Sequence, residues 1–82
     1  MVQYEARFER GSQVRIGSAE ELNQFRLNWK YHNPLTDDQM RYAGEFTVVR
    51  DVGFYHGGDP LYQLDGIPGV WHEQCLRLRA AG

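Results

Sequence analysis

The sequence has few features besides its hydrophobic side chains that could stabilise a fold. Its one cysteine, Cys75, excludes an internal disulfide, and there is no pair of Cys-x-x-Cys motifs of the kind that binds structural zinc. No apolar run approaches the length of about 20 residues that spans a membrane. We therefore expect residues 1–82 to form a single soluble, cytoplasmic domain around one core.

Charge of neither sign dominates the composition. Nine Lys and Arg stand against eleven Asp and Glu, and the resulting net charge of −2 weakens the case for a general polyanion binder. The first ten residues include four charged side chains, which the apolar segment of a signal peptide does not tolerate. Leu, Ile, Val and Phe number 19 and aromatic residues eleven, so the chain has enough apolar area to fold.

Short segments with strand-like patterns occupy much of the sequence. Residues 13–16 alternate, which places Val14 and Ile16 on one face, and residues 46–52 are rich in β-branched and aromatic side chains. Residues 76–79 place Leu76 and Leu78 on one face of a last strand. The other segments predicted to be extended are residues 2–8, 61–64 and 70–71.

Glycine-rich or very short segments separate the later strands. Residues 53–60 contain three glycines and a proline and predict a loop or hairpin tip, and residues 65–69 predict a turn. Residues 72–75 are about one turn long and suit a 3₁₀ connector between the last two strands.

Two helix-start motifs lie between the first and second predicted strands. Ser18 is followed three residues later by a Glu, and Thr36 is followed three residues later by a Gln, which are capping boxes. In the first helix Leu22, Phe25 and Trp29 share one face, and the helix is expected to end by the Asn-Pro step at residues 33–34. Gly44 is expected to stop the second, shorter helix.

These elements predict a mainly β fold, a small five-stranded SH3-like barrel with a short two-helix insertion at about residues 18–43. Residues 8–16, Phe-Glu-Arg-Gly-Ser-Gln-Val-Arg-Ile, resemble the opening strand of the SH3-like electron transport accessory group. That group includes the photosystem I PsaE subunit, the variable chain of ferredoxin-thioredoxin reductase and the barrel domain of the nitrile hydratase β subunit. The segments similar to the nitrile hydratase barrel are residues 40–49, 61–64 and 71–76.

The resemblance implies a non-catalytic accessory module that docks on a partner protein and carries no cofactor of its own. Exposed aromatic and histidine side chains are the natural candidates for its docking surface. The residues predicted to bind the partner are Tyr31, His32, Tyr55, His56 and His72. The alternating segment at the N-terminus is also a candidate for pairing two copies into a homodimer.

A nucleic-acid-binding barrel of the KOW type is the first alternative. The end of the first helix combines basic side chains with an aromatic ring that can stack on bases, a mixture typical of single-strand RNA binders. The residues that this alternative requires are Arg26, Lys30, Tyr31 and Arg41.

A thiol or metal site is the second alternative. His72 and Cys75 lie three residues apart, so an imidazole and a thiolate on one turn could share a metal or form a nucleophilic pair. Structural zinc takes four ligands, however, and a small buried cysteine is the simpler interpretation of Cys75. We therefore expect neither a metal nor catalysis here.

Overall fold

The computed structural model describes residues 6–55 and 58–79. The elements in this part of the chain are, in order, β1 (Gln13–Ile16), α1 (Ala19–Asn28), α2 (Asp37–Met40), β2 (Phe46–Phe54), β3 (Pro60–Leu64), β4 (Ile67–His72), a 3₁₀ helix (Glu73–Cys75) and β5 (Leu76–Leu78). The predicted fold class, mainly β with five short strands and a two-helix insertion between the first two, is confirmed. Neither α-helix in the described ranges is long and apolar enough to cross a bilayer.

The five strands form one antiparallel sheet in the order β4-β3-β2-β1-β5. β1 pairs with β2 on one side and with β5 on the other, so the last strand returns beside the first. Within the described residues, 6–55 and 58–79, no hydrogen-bonded ladder joins β4 to β5. The sheet is therefore open between these two strands. The 3₁₀ helix connects them, as the length of this segment predicts.

The predicted loops are shorter than the sequence suggests. β2 extends through Phe54 and β3 begins at Pro60, so both ends of predicted loop 53–60 belong to strands. The predicted turn at 65–69 is wrong beyond Gly66, since β4 begins at Ile67. The pairing register of β3 with β4 shifts just after this turn, and Gly69 there adopts a φ of +91°. Glycine and proline thus mark a bulge inside the strand rather than a longer turn.

The alternating N-terminal segment does not form a strand where it is described. Residues 1–5 lie outside the described residues, and residues 6–8 are bent rather than extended into the sheet. Phe8 is nevertheless buried, as its place in the alternation suggests. Its amide donates to the Tyr62 hydroxyl at 3.2 Å, and the two rings meet edge to face with centroids 5.6 Å apart. Pairing of two copies through this segment stays a prediction.

Both predicted capping boxes are present. The Ser18 hydroxyl accepts from the Glu21 amide at 3.1 Å, and the Glu21 carboxylate accepts from the Ser18 amide at 2.9 Å. Thr36 and Gln39 repeat the arrangement at 3.2 and 3.0 Å. The buried Gln39 side chain also donates to the Val70 carbonyl at 2.8 Å, which fixes the short α2 against β4. The helix starts are therefore determined by side chains that satisfy free amides.

Both helices end before the residues that were expected to stop them. α1 stops at Asn28, and Trp29 is its extended C-cap residue, so the chain leaves the helix well before the predicted Asn-Pro step. α2 stops at Met40, and a turn follows up to Gly44, whose φ of +80° suits glycine. The early end of α1 leaves room for a connecting segment at residues 29–35.

The core receives side chains from all five strands and from α1. Leu78 is an exception to its predicted position, because β5 ends there and leaves it exposed while Leu76 is fully buried. The buried apolar residues of the core are Phe8, Val14, Ile16, Leu22, Phe25, Leu35, Val49, Tyr62, Leu64, Trp71, Cys75 and Leu76.

Candidate functional site

The segment that follows α1 bends and is hydrogen-bonded to the end of β4. The Trp29 indole nitrogen donates to the His32 carbonyl at 2.7 Å. Asn33 adopts a φ of +50°, a left-handed conformation that asparagine tolerates better than most residues. Its carbonyl lies 2.8 Å from Nε2 of His72, at the end of β4. One hydrogen bond within the segment and one to the end of β4 therefore hold this connection.

Aromatic and imidazole rings gather around Trp29. The Trp29 ring stacks on Phe25 with centroids 5.4 Å apart and lies 4.7 Å from the ring of His72. Tyr31 and His32 meet it edge to face at 5.0 and 5.4 Å. With one further ring from the end of β2, these side chains form what we call the aromatic–histidine cluster: Phe25, Trp29, Tyr31, His32, Tyr55 and His72.

The contact between His32 and Tyr55 joins the insertion to the residue that follows β2. Their rings are nearly parallel, at 10°, with centroids 3.6 Å apart. Nε2 of His32 is buried and has no hydrogen-bond partner within residues 6–55 and 58–79. Oδ2 of Asp59 lies 3.6 Å from it, which is too long for a hydrogen bond but close enough for an ion pair if the imidazole is protonated.

His72 lies on the buried side of the cluster, in contact with Trp29. It is buried, and burial is the main reason why its pKa is lowered from the ordinary value of 6.5, with the nearby His32 contributing in the same direction. The neutral ring can donate from Nε2 to the Asn33 carbonyl. His72 therefore acts as a packed, hydrogen-bonded element beneath Trp29 rather than as an exposed contact residue.

Two surface cavities flank Trp29. One, of about 320 Å³, is lined by Trp29, Tyr31, His32, Tyr55 and Asp59, and we call it the Asp59 cavity. The other, of about 690 Å³, is a groove between α1 and the 3₁₀ helix, and we call it the α1 groove. The side chains that line the groove are Glu20, Glu21, Gln24, Phe25, Asn28, Trp29, Gln74 and Arg77. Since Trp29 borders both cavities, they form neighbouring parts of one surface.

The α1 groove is the part of the site that sequence reasoning missed. Arg77 on β5 donates to the Glu21 carboxylate at 2.6 Å, across 56 residues of sequence. The Ser18 amide is the largest of the causes that hold the pKa of Glu21 below its usual value, and the charge of Arg77 adds to it. No local motif joins the 3₁₀ helix and β5 to the polar face of α1, so only the tertiary structure shows this groove.

Four of the five predicted partner-binding residues are brought together. Tyr31, His32, Tyr55 and His72 all belong to the aromatic–histidine cluster, while His56 lies outside the described residues. Tyr31 is 71 % exposed and Tyr55 40 % exposed. The structure thus places two of these residues at the surface and His72 beneath them, and their role in binding stays a prediction.

The residues of the nucleic-acid alternative do not form a patch of free positive charge. Arg26 pairs with Asp37 at 3.0 Å, and Arg41 pairs with Asp38 at 3.8 Å. Both carboxylates belong to the first turn of α2, so the acids that favour this helix start also compensate the neighbouring cations. Lys30 is exposed beside Tyr31.

The structure does not favour the thiol or metal alternative. Cys75 is 2 % exposed, and burial raises the pKa of its thiol to about 12, the reverse of what an activated nucleophile requires. The ring of His72 is engaged with the Asn33 carbonyl. Across the described residues no group of three or more His, Cys, Asp or Glu side chains could hold a metal ion.

No family model, curated protein or solved structure matches this chain. The similarity to the electron transport accessory group therefore stays a prediction from short motifs. Function has to be inferred from the aromatic–histidine cluster and the two cavities beside it.

Proposed function

We propose that this chain is a non-catalytic protein-interaction module that docks on a partner protein through the aromatic–histidine cluster. The observation that carries the proposal is the exposure of Tyr31 and Tyr55, at 71 and 40 %, beside a cavity that is also lined by Trp29, which packs against the core. Aromatic side chains supported in this way are typical anchors of protein interfaces, because they bury a large area and lose little rotamer entropy.

The rigidity of the cluster supports the proposal. The hydrogen bonds from Trp29 to His32 and between His72 and Asn33 fix the connecting segment, and the His32 ring is stacked on Tyr55. A surface that is ordered before binding avoids much of the entropy cost of ordering loops and side chains at an interface. Most of the free energy gained by burying the exposed rings would therefore contribute to the affinity for the partner.

The α1 groove extends the same surface with groups suited to a polypeptide. Gln24, Asn28 and Gln74 are exposed and line it, and each amide side chain can both donate and accept a hydrogen bond. A partner segment lying over Trp29 could bond its peptide groups to these amides while an anchoring side chain enters the Asp59 cavity. The resemblance to accessory barrels that dock on enzyme subunits, which stays a prediction from short motifs, points to the same function.

Affinity capture with matched variants tests the proposal. Tyr31→Ala and Tyr55→Ala should each lose the same protein from a native lysate, while Leu27→Ala should retain it. Leu27 is the control because it is exposed to 62 % on α1 and lines neither cavity flanking Trp29. The lost protein is then purified and titrated calorimetrically, and we expect at least about a tenfold weaker affinity for each cluster variant. Equal binding by all variants would contradict the proposal.

A titration with single-stranded RNA at two salt concentrations separates this function from the nucleic-acid alternative. We expect no binding, because Arg26 and Arg41, two of the three cations that this alternative requires, are paired with carboxylates of α2. Binding that weakens steeply with salt and disappears when Arg26 and Lys30 are replaced would favour the alternative instead.

A further inference from the structure

We propose that the Asp59 cavity receives the trimethylated ammonium group of a lysine side chain from the partner protein. This inference rests on the proposed function, since it assigns the chemistry of the group that the same surface binds. Trp29, Tyr31, His32 and Tyr55 provide ring systems around the cavity, and Asp59 provides one carboxylate. Aromatic rings combined with a single negative charge are the surroundings that quaternary ammonium groups prefer in proteins.

The arrangement of the rings favours a compact cation over a flat one. The planes of Tyr31 and His32 are inclined to Trp29 by 80 and 87°, and Tyr55 lies nearly parallel to His32. Trp29 and Tyr31, set nearly at right angles, can contact a roughly spherical group from two sides, whereas the faces that His32 and Tyr55 stack on each other are closed to a ligand. A planar guanidinium instead gains most by stacking flat on an aromatic face.

The largely apolar lining of the cavity favours an alkylated ammonium over an unmodified one. The ammonium of lysine has three N–H donors that need acceptors, whereas a trimethylated nitrogen has none. Asp59 is the one carboxylate among the five lining residues, and its side chain is 52 % exposed. The indole N–H of Trp29 is already bonded to the His32 carbonyl, so it offers the ligand no competing polar contact.

The cavity is large enough to admit this ligand. A volume of about 320 Å³ falls at the small end of the range of roughly 300–1,000 Å³ that is typical of ligand pockets. It lies at the surface beside the exposed Tyr31 ring, so a long side chain can enter while its backbone remains outside.

Choline and its neutral isostere 3,3-dimethyl-1-butanol test the inference on the whole chain. The two indole N–H signals in a ¹H–¹⁵N spectrum separate Trp29, at the cavity, from the fully buried Trp71. Choline should shift the Trp29 signal saturably and leave Trp71 unchanged, and the neutral isostere should bind about tenfold more weakly or not at all. Asp59→Asn should weaken choline binding severalfold. Asp38→Asn, an exposed carboxylate paired with Arg41, should not.

The source of the ammonium group is tested with two amino-acid derivatives. Nα-acetyl-trimethyllysine amide should shift the Trp29 signal at least about tenfold more effectively than Nα-acetyl-lysine amide. Binding of choline without binding of the trimethyllysine derivative would overturn the assignment to a partner side chain. Equal binding of choline and its neutral isostere, or no binding of either, would overturn the cation site altogether.

The same variants distinguish failure of this inference from failure of the proposed function. If the inference alone is wrong, Tyr31→Ala still loses the captured partner, while choline neither binds nor displaces that partner. If the proposed function is wrong, Tyr31→Ala and Asp59→Asn capture the same proteins as the wild type, whether or not choline binds. If both hold, choline competes with the partner and its neutral isostere does not.

Discussion

The two tryptophans of this chain make the same kind of local hydrogen bond, but one lies in the core and the other at the surface. Each indole N–H donates to a main-chain carbonyl three residues away, from Trp71 to Pro68 at 3.2 Å and from Trp29 to His32 at 2.7 Å. Trp71 is fully buried among core side chains, whereas Trp29 is half-buried between two surface cavities. Hydrogen bonding satisfies both rings, so the difference between them lies in what their faces contact.

The regions around the two tryptophans differ in the interactions that stabilise them. The Trp71 region is stabilised by burial of apolar area within the sheet, where a large side chain has the most to contribute to folding. The Trp29 region is fixed by a few hydrogen bonds and ring contacts at the surface. Rings held at a surface in this way leave apolar area in contact with water, which is unfavourable. Binding of a partner would bury that area.

The largest expected effect is that of Trp71→Ala. Removal of this buried ring should lower the free energy of unfolding by about 3–5 kcal/mol, a large part of the stability of a small domain. Trp29→Ala should cost only about 1–2 kcal/mol, because the ring is half-buried. Urea denaturation followed by circular dichroism measures both. Equal losses would show that the two regions contribute alike to the fold.

Tyr62→Phe should lower the free energy of unfolding by about 1–3 kcal/mol. The Tyr62 hydroxyl accepts from the Phe8 amide and donates to the Glu73 carboxylate at 2.8 Å, and its pKa is raised to about 12, chiefly by burial. The substitution leaves the Phe8 amide without this acceptor. Tyr31→Phe is the control, and its effect should stay within about 0.5 kcal/mol, since Tyr31 is exposed. An unchanged free energy of unfolding in Tyr62→Phe would contradict this role of the hydroxyl.

Loss of a helix cap should have a smaller effect. Ser18→Ala and Thr36→Ala should each lower the free energy of unfolding by about 1 kcal/mol, because each removes the acceptor for a first-turn amide. Ser18→Asp restores an acceptor at the first cap and should recover most of the loss. Chemical denaturation of the three variants measures these differences, and unchanged stability of Ser18→Ala would show that the cap is dispensable.

The smallest expected effect is a pH dependence that originates at His72. Because its pKa is lowered in the folded state, the unfolded chain binds more protons as the pH falls below the ordinary value of 6.5. The stability contributed by the neutral ring is therefore complete above that pH and declines as the pH falls toward the lowered pKa. His72→Gln should flatten this part of the stability profile. An unchanged profile would show that another group titrates there.

Local chemistry explains why some elements could be predicted from the sequence. The capping boxes at Ser18 and Thr36 and the alternation in β1 depend on neighbours within a few residues, and the structure confirms them. The path of the chain after α1 includes the tertiary contact of Asn33 with His72, and the bulge at Gly69 accompanies the pairing of β4 with β3. Neither contact is encoded within a short window.

The same distinction applies to the candidate site. Exposed aromatic and histidine residues were enough to predict the group that includes Tyr31 and Tyr55, although they lie 24 positions apart. The α1 groove could not be predicted, since it requires β5 and the 3₁₀ helix to lie beside α1. The compensation of Arg26 by Asp37 was also missed, because it depends on how α2 packs beside the end of α1.

The most direct test of the account compares folding and binding in the single variant Tyr31→Ala. The account predicts a free energy of unfolding within about 0.5 kcal/mol of the wild type, because this ring is 71 % exposed, together with loss of the captured partner. Undiminished partner binding by the folded variant would contradict the central claim that the aromatic–histidine cluster is the docking surface.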